Sequence, residues 1–145
     1  MNDRSLILLA EDDENDAFIF RMALKKAGIP DSLTHVPDGQ AAINYLAGAG
    51  LYSNRSQYPL PFLVVTDLKM PRASGFDLLA WIKNQPPPNC PPVVVLSGSV
   101  EDSDKERALS LGAAAYFVKP SGLDHMIHLA QELKHTWLAP LSRPA

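Results

Sequence analysis

Three of the five apolar runs in this chain contain no charged residue and almost no polar one: LILLA at 6–10, FLVV at 62–65 and PVVVL at 92–96. Such a run has no face to give to water. It therefore reads as a strand covered on both sides, the condition of a parallel sheet. SLTHV at 32–36 and AAYFV at 114–118 complete a set of five. SLTHV carries Thr34 and His35, as an edge strand can.

Between the runs the period changes from strand to helix. Residues 14–27 place Phe20, Ala23, Leu24 and Ala27 on one stripe and stop at Gly28 and Pro30. Asp38 is placed to cap a helix to about 47, with Ala42, Ile43 and Leu46 inward. Ser74 is placed to cap another, with Phe76, Leu78, Leu79 and Ile82 before the stop QPPP. Asp102 or Ser103 opens a fourth, with Ala108, Leu109 and Leu111 inward, ending at Gly112. The fifth covers 122–138, with Leu123, Met126, Ile127, Ala130 and Leu133 on its stripe. Five strand–helix alternations predict an α/β, doubly wound domain with helices on both faces of the sheet. A (βα) barrel would need eight units. The connection GAGLYSNRSQYPLP, 48–61, is long for such a fold, and long loops are often functional or mobile.

A chain of 145 residues suits one core. We expect the domain to cover 1–138, the tail 139–145 to be disordered, and no output domain to follow. A net charge of −3 offers no electrostatic case for nucleic acid or an anionic membrane surface. No apolar stretch approaches a bilayer span and no signal peptide is evident, so a cytoplasmic location is expected. Cys90 is the only cysteine, which excludes an internal disulfide and a thiolate metal cage. No phosphate-cradling glycine motif is present.

In open α/β sheets, sites form at the carboxyl ends of the strands. The first run ends in Glu11-Asp12-Asp13, the third in Asp67, the fourth in Ser97-Gly98-Ser99 and the fifth in Lys119-Pro120. Acids, a hydroxyl and an ammonium thus reach one rim. Two like charges about 4 Å apart repel by about 4 kcal/mol at an effective dielectric near 20, so the acids need a cation. Oxygen donors favour a hard one, and Mg²⁺ is commonly held by one or two carboxylates with waters and a phosphate. A carboxylate beside Mg²⁺ and lysine is a competent nucleophile toward a phosphoryl group, giving an acyl phosphate. Lys119 would stabilise equatorial charge and Ser97 donate to a phosphoryl oxygen.

At these residues the chain resembles response-regulator receiver (CheY-like) domains. The resemblance rests on Glu11-Asp12, Asp67 in TDLKMPRASG, Ser97 in VVVLSGS and Lys119 in YFVKP, and it covers nearly the whole chain. It implies a flavodoxin-like (βα)5 fold with strand order 2-1-3-4-5. It implies a phosphorelay regulator whose Asp67 accepts a phosphoryl group from a histidine kinase or phosphotransfer protein. Asp12, Asp67 and the backbone carbonyl of Lys69 would hold Mg²⁺, and Glu11 would act mainly through a bound water. Asp13 would be auxiliary. Ser97 and Tyr116 would form the switch pair, and Ser99 and Lys69 sit where receivers tune dephosphorylation. Asp13 and loop 48–61 resemble single-domain regulators that accompany bacterial phytochrome kinases. That subgroup suggests a homodimer through the face of the fourth helix, fifth strand and fifth helix. The protein is expected to be no enzyme beyond its own phosphorylation and autodephosphorylation.

Each element also has a plainer reading. The acid triplet can cap the first helix, Asp67 can stabilise a turn, and Tyr116 can be core. His125 and His128 share a helical face without a third ligand, so they read as a solvated patch. Two alternatives stand beside the receiver reading. One is a receiver-fold docking module that works without phosphorylation. The other is an aspartyl-nucleophile phosphatase, which needs a second acid two residues after the nucleophile, where this chain has Lys69.

Overall fold

The computed structural model describes residues 7–29, 33–86 and 90–138. The expected tail at 139–145 lies outside them. Five parallel strands form one sheet: β1 (Ile7–Ala10), β2 (Leu33–Val36), β3 (Leu63–Thr66), β4 (Val93–Ser97) and β5 (Ala115–Val118), in the order 2-1-3-4-5. The three runs without a polar face are the three central strands, and every residue of β1, β3 and β4 is buried. The edges β2 and β5 are only partly covered.

Helices α1 (Glu14–Lys26) and α5 (Leu123–Leu133) cover one face. Helices α2 (Gly39–Ala47), α3 (Gly75–Lys83) and α4 (Asp102–Ser110) cover the other. Alternation along the strands divides the core accordingly: Ile7, Leu9, Leu63 and Val65 face α1 and α5, whereas Leu8, Ala10, Val64 and Val95 face α2 and α3. A π-helical turn, Lys134–Leu138, extends α5, and Lys134 Nζ donates to the Ala27 carbonyl beyond α1 at 3.3 Å.

Asp38 caps α2, and Ser74 caps α3 in a reciprocal capping box with Asp77. Helix α4 starts at Asp102, the first of its two expected openings, with Glu101 at its cap position. Two sequence expectations shift. Leu109, placed inward by the stripe, is 42% exposed, because α4 buries only Ala108. Strand β3 runs one residue later than expected, leaving Phe62 outside it and taking in Thr66.

Loop 48–61 is firmly tied down. Arg55 donates to the carbonyls of Tyr45 (2.8 Å) and Leu46 (2.6 Å) in the last turn of α2 and to that of Tyr58 (3.1 Å) in the loop, tying the two together. The rings of Tyr45, Tyr52 and Tyr58 pack with centroids 5.0–6.1 Å apart, and the Tyr45 hydroxyl donates to the Pro59 carbonyl at 2.8 Å. Among the described residues, no helix is long and apolar enough to cross a membrane.

Candidate functional site

The sheet's main-chain ladder runs one rung past the strands, and that rung carries the chemistry. Glu11 N–H donates to the Val36 carbonyl (3.0 Å), Asp67 N–H to Ala10 (3.1 Å) and Lys119 N–H to Ser97 (2.7 Å). Each is the first residue after its strand, so its side chain leaves the sheet while its backbone remains fixed to a neighbour.

The loop after β3 folds back on itself. Leu68 is fully buried, and its N–H donates to Asp67 Oδ1 at 2.7 Å. Gly75 N–H returns to the Leu68 carbonyl at 2.8 Å, and a Cβ on Gly75 would lie 2.2 Å from the Asp67 carbonyl oxygen. Arg72 in this turn has φ 69°, a left-handed conformation unusual for a residue with a side chain. The chain thus spends backbone freedom to hold Asp67 in place.

At the rim, Lys119 Nζ lies 2.9 Å from Asp67 Oδ2, 2.9 Å from Glu11 Oε1 and 2.8 Å from Asp16 Oδ2. Glu11, Asp12 and Asp67 offer carboxylate oxygens that all lie within 4.8 Å of one another. The donor set is entirely oxygen, and the excess of acid over lysine calls for further positive charge, as a hard divalent cation supplies. Burial pushes the Glu11 carboxyl up to about 7, against the opposing hydrogen bonds from Lys119 and the Asp13 N–H. Burial pulls the Lys119 ammonium down, but the hydrogen bonds to Asp16, Asp67 and Glu11 outweigh it and hold it above the ordinary lysine range.

The structure therefore brings Glu11, Asp12, Asp67 and Lys119 together. Ser97 and Lys69 line the same depression as Asp67 and Lys119. Ser97 is buried, and its Oγ accepts from the Ser99 N–H at 3.1 Å. The Tyr116 hydroxyl donates to the Ser99 carbonyl at 3.0 Å, so Ser99 joins Ser97 to Tyr116. The Ser99 hydroxyl donates to Asp104 Oδ2 at 2.6 Å. Asp13 takes the plainer role: its Oδ1 accepts from the N–H groups of Asn15 (2.9 Å) and Asp16 (3.0 Å), capping α1. His125 and His128 are exposed, away from the acid cluster.

Sequence reasoning missed Asp16. It sits in the first turn of α1, where an acid reads as a partner of the helix dipole. The available signal was position: helical side chains lean toward the N-terminus, here back toward the strand ends.

Residues 7–131 match the family described as Response regulator receiver domain. Response regulator Rcp1 of Synechocystis sp. is 33% identical over 144 residues, spanning 99% of this chain and 96% of its own. The crystal structure of the phosphorylated cyanobacterial phytochrome response regulator RcpA superposes with a TM-score of 0.85 at 31% identity, covering 98% of this chain and 99% of that one. The Mn²⁺-bound form of Rcp1 superposes with a TM-score of 0.83 at 33% identity, covering 97% and 99%.

Proposed function

The chain belongs to the response regulator receiver family, and on that premise we propose that it is a phosphoacceptor regulator that takes a phosphoryl group on Asp67 in the presence of Mg²⁺. The observation that carries this is the ammonium of Lys119 at 2.9 Å from Asp67 Oδ2, at the edge of a three-acid cluster. Asp67 Oδ1 is engaged by a main-chain N–H, and the Asp67 side chain keeps 12% of its surface open.

Asp12 and Asp67, with the Lys69 carbonyl, would hold the metal, and Glu11 would act through a water. That Rcp1 has a Mn²⁺-bound form supports divalent-cation binding, and the Glu11, Asp12 and Asp67 cluster is the place we assign to it here. Such an ion neutralises the acids and draws charge from the incoming phosphoryl group. In this chain an Asp67 carboxylate oxygen forms the new bond to phosphorus as the donor's P–N bond breaks and its electron pair returns to the donor imidazole; Lys119 stabilises the equatorial oxygens, and the Ser97 hydroxyl turns toward the new anion. Through Ser99, that turn reaches Tyr116. We take the domain to cover residues 1–138 and its catalysis to be limited to its own phosphorylation and hydrolysis.

The partner we propose is a histidine kinase or phosphotransfer protein, of phytochrome type by likeness to RcpA. A homodimer through α4, β5 and α5 is supported by the exposed Leu109 and Val118 on that face. Sedimentation showing monomer with and without phosphorylation would remove the dimer.

The deciding experiment is intact-mass measurement after incubation with a small phosphodonor, with and without Mg²⁺. Wild type should gain one phosphoryl mass only with metal, and Asp67→Asn should gain none. Equal labelling of the two proteins would defeat the reading. Unlabelled protein that still binds its partner would favour the docking module instead.

A further inference from the structure

Lys119 has three acidic partners, and two of them, Glu11 and Asp67, are also members of the three-acid cluster suited to a divalent cation. An ammonium has three N–H donors, and here each has an acceptor at 2.8–2.9 Å. When a divalent cation occupies the cluster, Glu11 and Asp67 give charge to the metal, and the metal repels the ammonium. Asp16 is the one partner outside the cluster. It also comes from a different element, the first turn of α1, and its side chain is 40% exposed.

We propose that Asp16 is a positioning residue that anchors Lys119 independently of the metal, so that one ammonium and one divalent cation can share the same pocket. Asp16 touches neither the reacting atoms nor the metal cluster; it acts through Lys119. Without it, the ammonium must rely on the carboxylates the cation needs, and the two cations compete. This rests on the metal-dependent receiver reading above, and it adds a residue to which no role was assigned there.

The test is Mn²⁺ binding by calorimetry, for wild type, Asp16→Asn, Lys119→Met and the double variant. Removing a nearby negative charge weakens a cation directly, and that part persists without Lys119. The part that passes through Lys119 does not. We expect Asp16→Asn to weaken Mn²⁺ about tenfold in the wild-type background and only about twofold beside Lys119→Met, a coupling of about fivefold. Asp16→Glu should restore most of the affinity. Equal losses in both backgrounds would overturn the proposal.

A second measurement does not depend on Lys119→Met folding. The ε-methylene NMR signal of Lys119 should shift little on Mg²⁺ saturation of wild type and strongly in Asp16→Asn. Identical responses would overturn the proposal as well. If wild type binds neither ion, the metal-dependent reading itself fails; if it binds both and only the coupling is absent, that reading survives and the role of Asp16 does not.

Discussion

Gly75 and the carbonyl of Asp67 are in such close register that a methyl group on Gly75 would sit 2.2 Å from the oxygen. The space is closed by backbone, which cannot rotate aside as a side chain can. The position of the acceptor carboxylate is therefore tied to the absence of a side chain eight residues later.

Gly75→Ala should accordingly destabilise the protein by about 1–3 kcal/mol, the scale of overpacking in a fixed frame, and should slow phosphodonor labelling of Asp67. Gly98→Ala is the control, because a Cβ there meets nothing within 4 Å. It should change stability by no more than about 0.5 kcal/mol. Urea unfolding and labelling rates measure both effects. Equal stability losses in the two variants would contradict the steric account.

Metal-free stability should fall as pH rises from about 4.5 to 7. The Glu11 carboxyl is raised from 4.5 to about 7 on folding, chiefly by burial. Between those values the folded state binds more protons than the unfolded chain, so raising the pH favours unfolding. Glu11→Gln should flatten that slope. Chelator-treated protein, unfolded in urea at several pH values, provides the measurement. A slope unchanged by Glu11→Gln would assign it to other groups.

Loop 48–61 should behave as part of the folded frame. Arg55→Ala removes charge-assisted hydrogen bonds to three carbonyls and should cost about 1–3 kcal/mol, while Tyr45→Phe should cost about 1 kcal/mol. Neither should change the labelling rate more than about twofold, since neither residue lines the acidic rim. Hydrogen exchange in wild type should show slow amides at Tyr52 and Tyr58, which donate to Ala49 and Asn54. Fast exchange at both would contradict an anchored loop.

Tyr116→Phe should separate switching from chemistry. It deletes the hydroxyl that donates to Ser99 and should cost about 0.5–1.5 kcal/mol. Labelling at Asp67 should persist near the wild-type rate, while amide NMR shifts of residues 97–101 on phosphorylation should shrink. Undiminished shifts would show that Ser97 communicates by another route.

Much of this was legible because burial leaves a coarse signature. Three runs without a polar face could only be central strands, and β1, β3 and β4 are those strands. The strand-end residues Glu11, Asp67 and Lys119 follow from the same pattern, since a parallel sheet puts all its carboxyl ends on one side. What was illegible depended on contacts between distant segments. Asp16 and Lys119 are 103 positions apart, and nothing in the local pattern of either names the other. Leu109 fell on the apolar stripe yet is exposed, because the width of a buried face is set by the neighbour and not by the helix. Asp13 was readable as an auxiliary acid or as a helix cap, and the local pattern did not choose; in the structure its side chain caps α1.

The extra rung of main-chain pairing beyond the strands has a further consequence. Since Glu11, Asp67 and Lys119 are each pinned through their own amide, changing a side chain there alters charge and reach but leaves its point of attachment where it was. Substitution at these three positions therefore tests charge and reach separately from placement, because the backbone that carries each group is held by a neighbouring strand.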